Sequence, residues 1–263
     1  MRGAQGLVAG VLIGTLGGLI GLGGAEFRLP VLVGLFRRPT LEAIIFNKAM
    51  SLVVVTAALL FRLGEIPLAQ LAGHLDVVVN LLGGSLIGAW WAAGHAMTLP
   101  RRWLDQIILV LLVGLALLML SEAWFGLGAT AEPLVPAGLL RWGVGLAAGF
   151  GIGMVAALLG VAGGELLIPT IALLYGVDIK LAGSLSLMVS LPTMLVGFAR
   201  YSRSGAFSVL RTQRSLFVWM LLGSILGAAI GASLLGIVSS DLLMAGLGLV
   251  LLISAVKTFQ HRH

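Results

Sequence analysis

Long apolar stretches alternate with short polar or charged loops along the chain, and their lengths predict helices. The eight apolar segments are 6–36, 43–61, 75–97, 103–121, 139–175, 181–199, 215–237 and 242–256. Six of them approach the roughly 20 residues that one helical crossing of a bilayer requires. Segments 6–36 and 139–175 are too long for one crossing, and a glycine-rich run interrupts each near its middle. Each of these two is therefore predicted to form a pair of half-helices.

The same pattern occurs twice, at a fixed offset of 139 residues. Gly21-Leu-Gly-Gly-Ala-Glu26-Phe-Arg-Leu-Pro30 reappears as Gly160-Val-Ala-Gly-Gly-Glu165-Leu-Leu-Ile-Pro169. Duplicated apolar units with an interrupted first helix are typical of transporters that bind substrate between their halves. We divide the chain into repeat 1 (1–121), an outer linker (122–138) and repeat 2 (139–263). Each repeat is predicted to hold a broken helix pair followed by three transmembrane helices.

Composition places the chain in a membrane. Hydrophobic residues make up 59% and charged residues 10% of the chain, whereas a soluble domain has about a quarter charged residues. The net charge of +6 is attributed to loops that face an anionic cytoplasmic leaflet, so no nucleic-acid partner is expected. The chain has no cysteine, and its four histidines lack metal-ligand spacing. No metal or other cofactor is expected.

The distribution of Lys and Arg over the loops distinguishes two topologies. If each broken segment crosses once, nine of these residues lie on the cytoplasmic side and five outside; if each is re-entrant, the division is eleven and three. The positive-inside rule favours the second arrangement, in which Arg62 is an outer loop charge. Arg101-Arg102 aligns with Ser240-Asp241, so equivalent loops carry opposite charge, as inverted copies require. The predicted fold is an all-α integral membrane protein of two inverted repeats, in the cell inner membrane with both termini cytoplasmic.

The glycine-rich breaks are the strongest candidates for a binding site. A break inside hydrocarbon leaves backbone N–H groups unsatisfied unless they line a cavity or meet a ligand. The half-helix that follows presents free N–H groups and the positive end of its dipole, which suits an anion. Alternatively, the glycines let helices pack closely. The substrate contacts predicted at the breaks are Gly23, Gly24, Ala25, Gly163 and Gly164.

Glu26 and Glu165 are carboxylates at equivalent positions of the two breaks. An ionisable group inside a membrane is energetically costly and usually functional, so both are candidates for proton coupling. Alternatively, each caps the first turn of its half-helix, and the two roles can coexist.

Polar side chains on the neighbouring segments extend the candidate site. Lys48, next to Asn47, is interpreted either as a substrate counter-charge or as a side chain that snorkels to the cytoplasmic surface. Arg28 has Leu167 as its equivalent in repeat 2 and could pair with Glu26. The hydroxyl groups expected to line the cavity are those of Ser51, Ser186, Ser190 and Thr193.

The duplicated element resembles the TauE/SafE family, also called the 4-toluene sulfonate uptake permease family. Its second copy, Gly163-Gly164-Glu165-Leu-Leu-Ile-Pro169, and the later run Ser184-Leu-Ser-Leu-Met-Val-Ser-Leu-Pro192-Thr193 match the family's second repeat. Ala25 stands where the family often has glycine, and Phe46-Asn47-Lys48 replaces a T-S-L-like run. The resemblance implies transport of sulfur-containing or other small organic anions, such as sulfite, sulfonates or sulfoacetate.

The leading interpretation is a secondary transporter that works as an exporter, with an anion channel of the same architecture as the alternative. An enzyme is not expected, because the chain has no His/Asp/Glu cluster, metal motif or G-x-S-x-G element. The expected partners are a small anion and membrane lipid. The small-residue faces Gly84-x3-Gly88-x3-Ala92 and Gly223-x3-Gly227-x3-Gly231 would pack within the protomer or across a homodimer.

Overall fold

All secondary structure in the described part of the chain is helical. The computed structural model describes residues 2–37, 40–95, 113–114, 116–117, 120, 133–159, 163–202 and 214–260. Its helices are α1 (Arg2–Ile20), α2 (Ala25–Pro30) with a π-helical turn at Val31–Leu35, α3 (Thr40–Arg62), α4 (Leu68–Ala72), α5 (Leu75–His95), α6 (Leu139–Leu159), α7 (Gly164–Tyr175), α8 (Ile179–Ser202), α9 (Arg214–Leu234) and α10 (Ser240–Gln260). Most of the predicted helix at 103–121 and most of the predicted linker at 122–138 lie outside these residues.

Five of the described helices are long and apolar enough to cross a membrane. By length and composition these spans are Gly3–Ile20, Leu75–Ala92, Leu139–Ala157, Ile179–Val196 and Arg214–Leu234. Two shorter apolar helices are Gly164–Tyr175 and Ser240–Val250. The predicted class, an all-α multi-pass membrane protein, is confirmed.

Both long apolar segments are interrupted at their glycines. Between α1 and α2, three glycines have positive φ values: 96° at Gly21, 76° at Gly23 and 73° at Gly24. In repeat 2, Gly163 has a φ of 75° immediately before α7. Residues with a side chain rarely adopt this left-handed conformation, so glycine is required where the chain changes direction.

The chain turns back on itself at each break. A Cβ atom built on Gly24 would lie 2.8 Å from Ile13 Cγ2, so the start of α2 lies beside the middle of α1. In repeat 2, a Cβ on Gly163 would lie 3.2 Å from Cγ2 of Ile152, the residue equivalent to Ile13. Gly24 and Gly163, the last residues before α2 and α7, therefore lie at equivalent places beside the first helix of their repeat.

The first helix of each repeat packs against the third long helix of the other repeat: α1 lies along α9, and α6 along α5. At these two interfaces the backbones of the paired helices touch directly. A Cβ on Gly14 would collide with Ser224 O, and a Cβ on Gly153 would collide with Ser85 O. These two contacts are equivalent under the 139-residue offset. The predicted small-residue faces lie at these two interfaces, within the protomer.

The largest buried apolar cluster spans both repeats. It includes Leu22 from the first break, Leu167 from α7 and Leu185 from α8. The breaks are thereby held in the protein interior.

Candidate binding site at the glycine breaks

The two glycine breaks lie against residues of the opposite repeat. A Cβ on Gly164 would lie 3.1 Å from Leu22 Cα, and a Cβ on Gly21 would lie 2.7 Å from Gly183 Cα. The Ser186 hydroxyl donates toward Gly21 O at 3.0 Å and Gly183 O at 2.8 Å. Because the last carbonyls of a helix lack intrahelical partners, Ser186 both satisfies such a group and joins the repeats.

A buried guanidinium occupies the repeat 1 half of this region. Arg28 is 0% exposed. Its Nη1 donates to Asn47 Oδ1 at 3.2 Å and to Ser51 Oγ at 2.9 Å. Its Nη2 donates to Gly23 O at 3.3 Å, and Asn47 Nδ2 donates to Ala25 O at 3.0 Å. The structure therefore brings these five predicted site residues together.

The local sequence accounts for this cluster. Asn47 and Ser51 are four residues apart on α3, so they share one face of that helix. Gly24 begins α2 in a direction that returns along α1, and Arg28 follows one turn later. A guanidinium buried without hydrogen-bond acceptors would be strongly unfavourable. The acceptors on α3 and at the break make its burial possible.

The repeat 2 half begins at Gly163. Its carbonyl accepts a hydrogen bond of 3.0 Å from the Leu167 N–H, and Glu165 stands half-buried in the first turn of α7. The positive end of the dipole of this 12-residue helix lies at the break. The side chain of Glu26 lies outside the described part of the structure, so its pairing with Arg28 stays a prediction.

The repeats differ at a pair of equivalent serines. Ser51 accepts a hydrogen bond from Arg28. In repeat 2, Ser190 is the equivalent of Ser51, and Leu167 is the equivalent of Arg28. Ser190 is 1% exposed, and its Oγ has no hydrogen-bond partner among the described residues. A buried polar group left without a partner costs about 1–3 kcal/mol and calls for an explanation. Repeat 2 thus retains the buried hydroxyl of Ser190 but has Leu167 in place of the arginine that Ser51 meets in repeat 1.

Thr193 connects α8 with α5. Its Oγ1 lies 3.0 Å from Ser85 Oγ and donates to Val189 O at 2.8 Å. Under the 139-residue offset, Ser224 is the equivalent of Ser85, and Val54 is the equivalent of Thr193. Ser224 Oγ has no hydrogen-bond partner within the described ranges. The hydroxyl of Thr193 is therefore engaged at a helix contact, whereas that of Ser186 is engaged at the break.

Lys48 is half-buried on α3. The hydrogen bonds that the structure describes to Asn47 Oδ1 and Ser51 Oγ come from Arg28. Arg28 is thus a cation brought to this cluster, and the substrate contact predicted for Lys48 stays a prediction.

The sequence interpretation missed Arg62, which it treated as a loop charge. Arg62 is the last residue of α3 and is 1% exposed. Its Nε donates to Ser184 Oγ at 2.8 Å, and its Nη2 donates to Lys180 O. Its Nη1 donates to Gly18 O at 2.8 Å and Leu19 O at 2.9 Å. The available signal was its spacing, because Arg62 continues the buried face of α3.

One protein-family model matches nearly the whole chain. The model of the Sulfite exporter TauE/SafE family matches residues 6–258. The chain belongs to this family. TauE/SafE proteins are transporters and not enzymes, and their transport role implies a small anion as substrate. Comparison with curated proteins and with solved structures returned no match.

Proposed function

We propose that this TauE/SafE chain is a secondary transporter that works by alternating access. It exports small organic anions, namely sulfonates such as sulfoacetate, or the inorganic anion sulfite. The observation that carries the proposal is the buried Arg28 guanidinium, held by Asn47 and Ser51 at the first glycine break. A buried cation in a medium of low dielectric attracts an anion far more strongly than the same cation in water.

The groups around the breaks are mainly hydrogen-bond donors. A guanidinium can only donate, the start of α7 carries about half a positive charge, and Ser190 offers a hydroxyl. A sulfonate presents three acceptor oxygens and a negative charge, so it matches this set, whereas the ammonium of a zwitterion would need an acceptor. The proposed substrate contacts are Gly23, Gly24, Ala25, Arg28, Asn47, Lys48, Ser51, Gly163, Gly164, Ser186, Ser190 and Thr193.

Inverted repeats would supply the two alternating states, and the helix directions support them. α1 and α3 run the same way, because Arg62 at the end of α3 contacts Gly18 and Leu19 near the end of α1. The chain has turned back by the start of α2, because a Cβ on Gly24 would lie 2.8 Å from Ile13 Cγ2. If α1 and α2 formed one crossing, α3 would return through the membrane opposite to α1. The observed directions favour a re-entrant α1–α2 pair.

Repeat 2 provides parallel support. A Cβ on Gly145, near the start of α6, would collide with the hydroxyl of Tyr175, the last residue of α7. The end of α7 thus lies beside the start of α6, as a re-entrant pair requires. Three predicted crossings after each re-entrant pair place the repeats in opposite orientations. Both termini would then lie on the cytoplasmic side of the cell inner membrane.

Proton coupling through Glu26 and Glu165 completes the proposed mechanism. A carboxylate is costly in the membrane interior when it is charged, so protonation during the cycle would lower the barrier to movement of the site. Glu165 is suitably placed, because it lies in the first turn of α7 beside the break.

Flux measurements in liposomes test the proposal. We expect purified protein to carry sulfite or a sulfonate with saturable kinetics, and unlabelled anion on the opposite side should accelerate exchange. A channel would give flux that does not saturate and no exchange. Failure to carry any anion from a panel of sulfite, sulfonates and carboxylates would overturn the proposed function.

A further inference from the structure

A second buried arginine joins the two repeats some distance along α3 from the candidate site. Arg62 donates to the carbonyls of Gly18 and Leu19 at the end of α1, in repeat 1. It also donates to the hydroxyl of Ser184 and the carbonyl of Lys180 at the start of α8, in repeat 2. One side chain thus connects α1, α3 and α8 at the same end of the molecule.

The contact around this arginine is tightly packed. A Cβ on Gly183 would lie 2.7 Å from Arg62 Nη2 and 2.5 Å from Ile20 O. One turn of α3 before the arginine, Ala58 is 0% exposed and belongs to a buried cluster with Leu187 of α8. The start of α8 therefore closes directly over the ends of α1 and α3.

The duplicated sequence does not preserve this contact at the other end of the molecule. Under the 139-residue offset, Tyr201 is the equivalent of Arg62, and Ile45 is the equivalent of Ser184. Tyrosine lacks the five donors of a guanidinium, and the side chain of isoleucine cannot accept a hydrogen bond as the Ser184 hydroxyl does. The polar connection between repeats at Arg62 is therefore a property of one end.

We propose that Arg62 is the latch of a gate that closes this end of the transporter. While it binds α8, the breaks are sealed from this side; when its bonds to Ser184 and Lys180 are broken, α8 moves away from α3. The two bonds to α1 persist during opening, because the partial negative charge at the end of α1 holds the cation. The inference relies on the proposed transport function for its role, yet the latch can be measured without substrate.

Because the chain has no cysteine, Ala58→Cys provides a single probe for gate opening. The rate of its reaction with a bulky polar thiol reagent is measured in detergent without any anion. We expect Arg62→Leu to accelerate this reaction about tenfold or more, the effect of losing one or more hydrogen bonds to a charged group. Arg214→Leu is the matched control, because Arg214 is an exposed arginine at the start of α9, and it should leave the rate unchanged.

Two further variants keep Arg62 in place. Ser184→Ala removes one acceptor, and Gly183→Ala inserts a methyl group between α8 and Arg62. Both should accelerate the reaction at Ala58→Cys several-fold. A second probe, Ala43→Cys, lies near the start of α3 and is 0% exposed, and its rate should not rise.

These variants decide the question even if Arg62→Leu does not fold. An unchanged rate at Ala58→Cys in folded Ser184→Ala and Gly183→Ala protein would overturn the latch. An equal rise at both probes would overturn it as well, since that result indicates general loosening. Liposome flux with an unchanged probe rate contradicts the latch alone, whereas a responsive probe without anion flux contradicts the proposed function alone.

Discussion

Arg28 donates from Nη1 to Ser51 Oγ at 2.9 Å, whereas the equivalent positions in the second half of the chain hold Leu167 and Ser190. The duplication preserved Ser190 but placed Leu167 where Arg28 stands in repeat 1. The two halves of the candidate site are thus chemically different: repeat 1 supplies a fixed cation, and repeat 2 supplies a hydroxyl with no partner among the described residues.

Removal of the Arg28 charge should weaken anion binding severely. We expect Arg28→Leu to lower the affinity for the transported anion about a hundredfold, because a hydrogen bond to a charged group contributes up to about 3 kcal/mol. Arg28→Lys keeps the charge but cannot serve Asn47, Ser51 and the break together, so we expect a loss of about tenfold. Calorimetry on folded protein in detergent measures both, with Arg214→Leu as the control. Unchanged affinity in Arg28→Leu would make this arginine a structural anchor.

The equivalent serines should respond differently to the same substitution. Ser51→Ala deprives the buried Arg28 of an acceptor, so we expect a loss of stability of about 1–3 kcal/mol. Ser190→Ala removes a hydroxyl without a described partner. It should preserve or raise stability, because this costly buried hydroxyl is removed, and it should lower anion affinity about five- to tenfold, the effect of one hydrogen bond of about 1 kcal/mol. Thermal unfolding and calorimetry on both variants separate the outcomes; normal affinity in Ser190→Ala would remove this serine from the site.

The helical class and the positions of the breaks could be predicted from the sequence, because both depend on local chemistry. Segment length and hydropathy predict crossings, and a glycine run predicts a helix interruption. The cluster of Arg28 with Asn47 and Ser51 was predicted only as a set of candidates. Which of these groups touch depends on the direction in which α2 leaves the break, and that direction is fixed by packing of Gly24 on Ile13.

Arg62 shows why part of the structure could not be predicted. A charged residue next to a loop is normally a solvated end of a helix, and the charge distribution alone supports that interpretation. Its burial follows from the contact of α8 with the ends of α1 and α3, which joins residues more than a hundred positions apart in the chain. The spacing along α3 places Arg62 on the buried face of that helix, but it does not specify the partner on α8.

Substitution of Lys48 should show whether its side chain binds the substrate or extends to the membrane surface. If it is a counter-charge for the substrate, Lys48→Ala should weaken anion binding at least tenfold, and Lys48→Arg should retain part of the affinity. If Lys48 snorkels to the surface, neither substitution should matter, because the charged end then lies in water. Calorimetry in detergent distinguishes these cases, and unchanged affinity in Lys48→Ala would exclude the substrate contact.

Glu26 and Glu165 should determine how anion flux responds to a pH gradient. If Glu26 or Glu165 exchanges a proton in each cycle, its replacement by Gln should make flux insensitive to an imposed pH gradient. Glu65→Gln is the matched control, because Glu65 is exposed in the loop after α3, and it should leave the response intact. The measurement is anion flux into liposomes at several internal and external pH values. A normal response in both Gln variants would leave these residues as helix caps.

Labelling from outside the cell should distinguish the two topologies. The contact of Arg62 with the end of α1 favours a re-entrant first pair, and the loop charges favour the same arrangement. We therefore expect cysteines placed at Arg37 and Arg101 to resist an impermeant thiol reagent in intact cells and to react after permeabilisation. A cysteine at Thr130, in the predicted outer linker, should react without permeabilisation. Reaction of the Arg37 position in intact cells would mean that α1 and α2 cross the membrane together, because the loop after α2 would then lie outside.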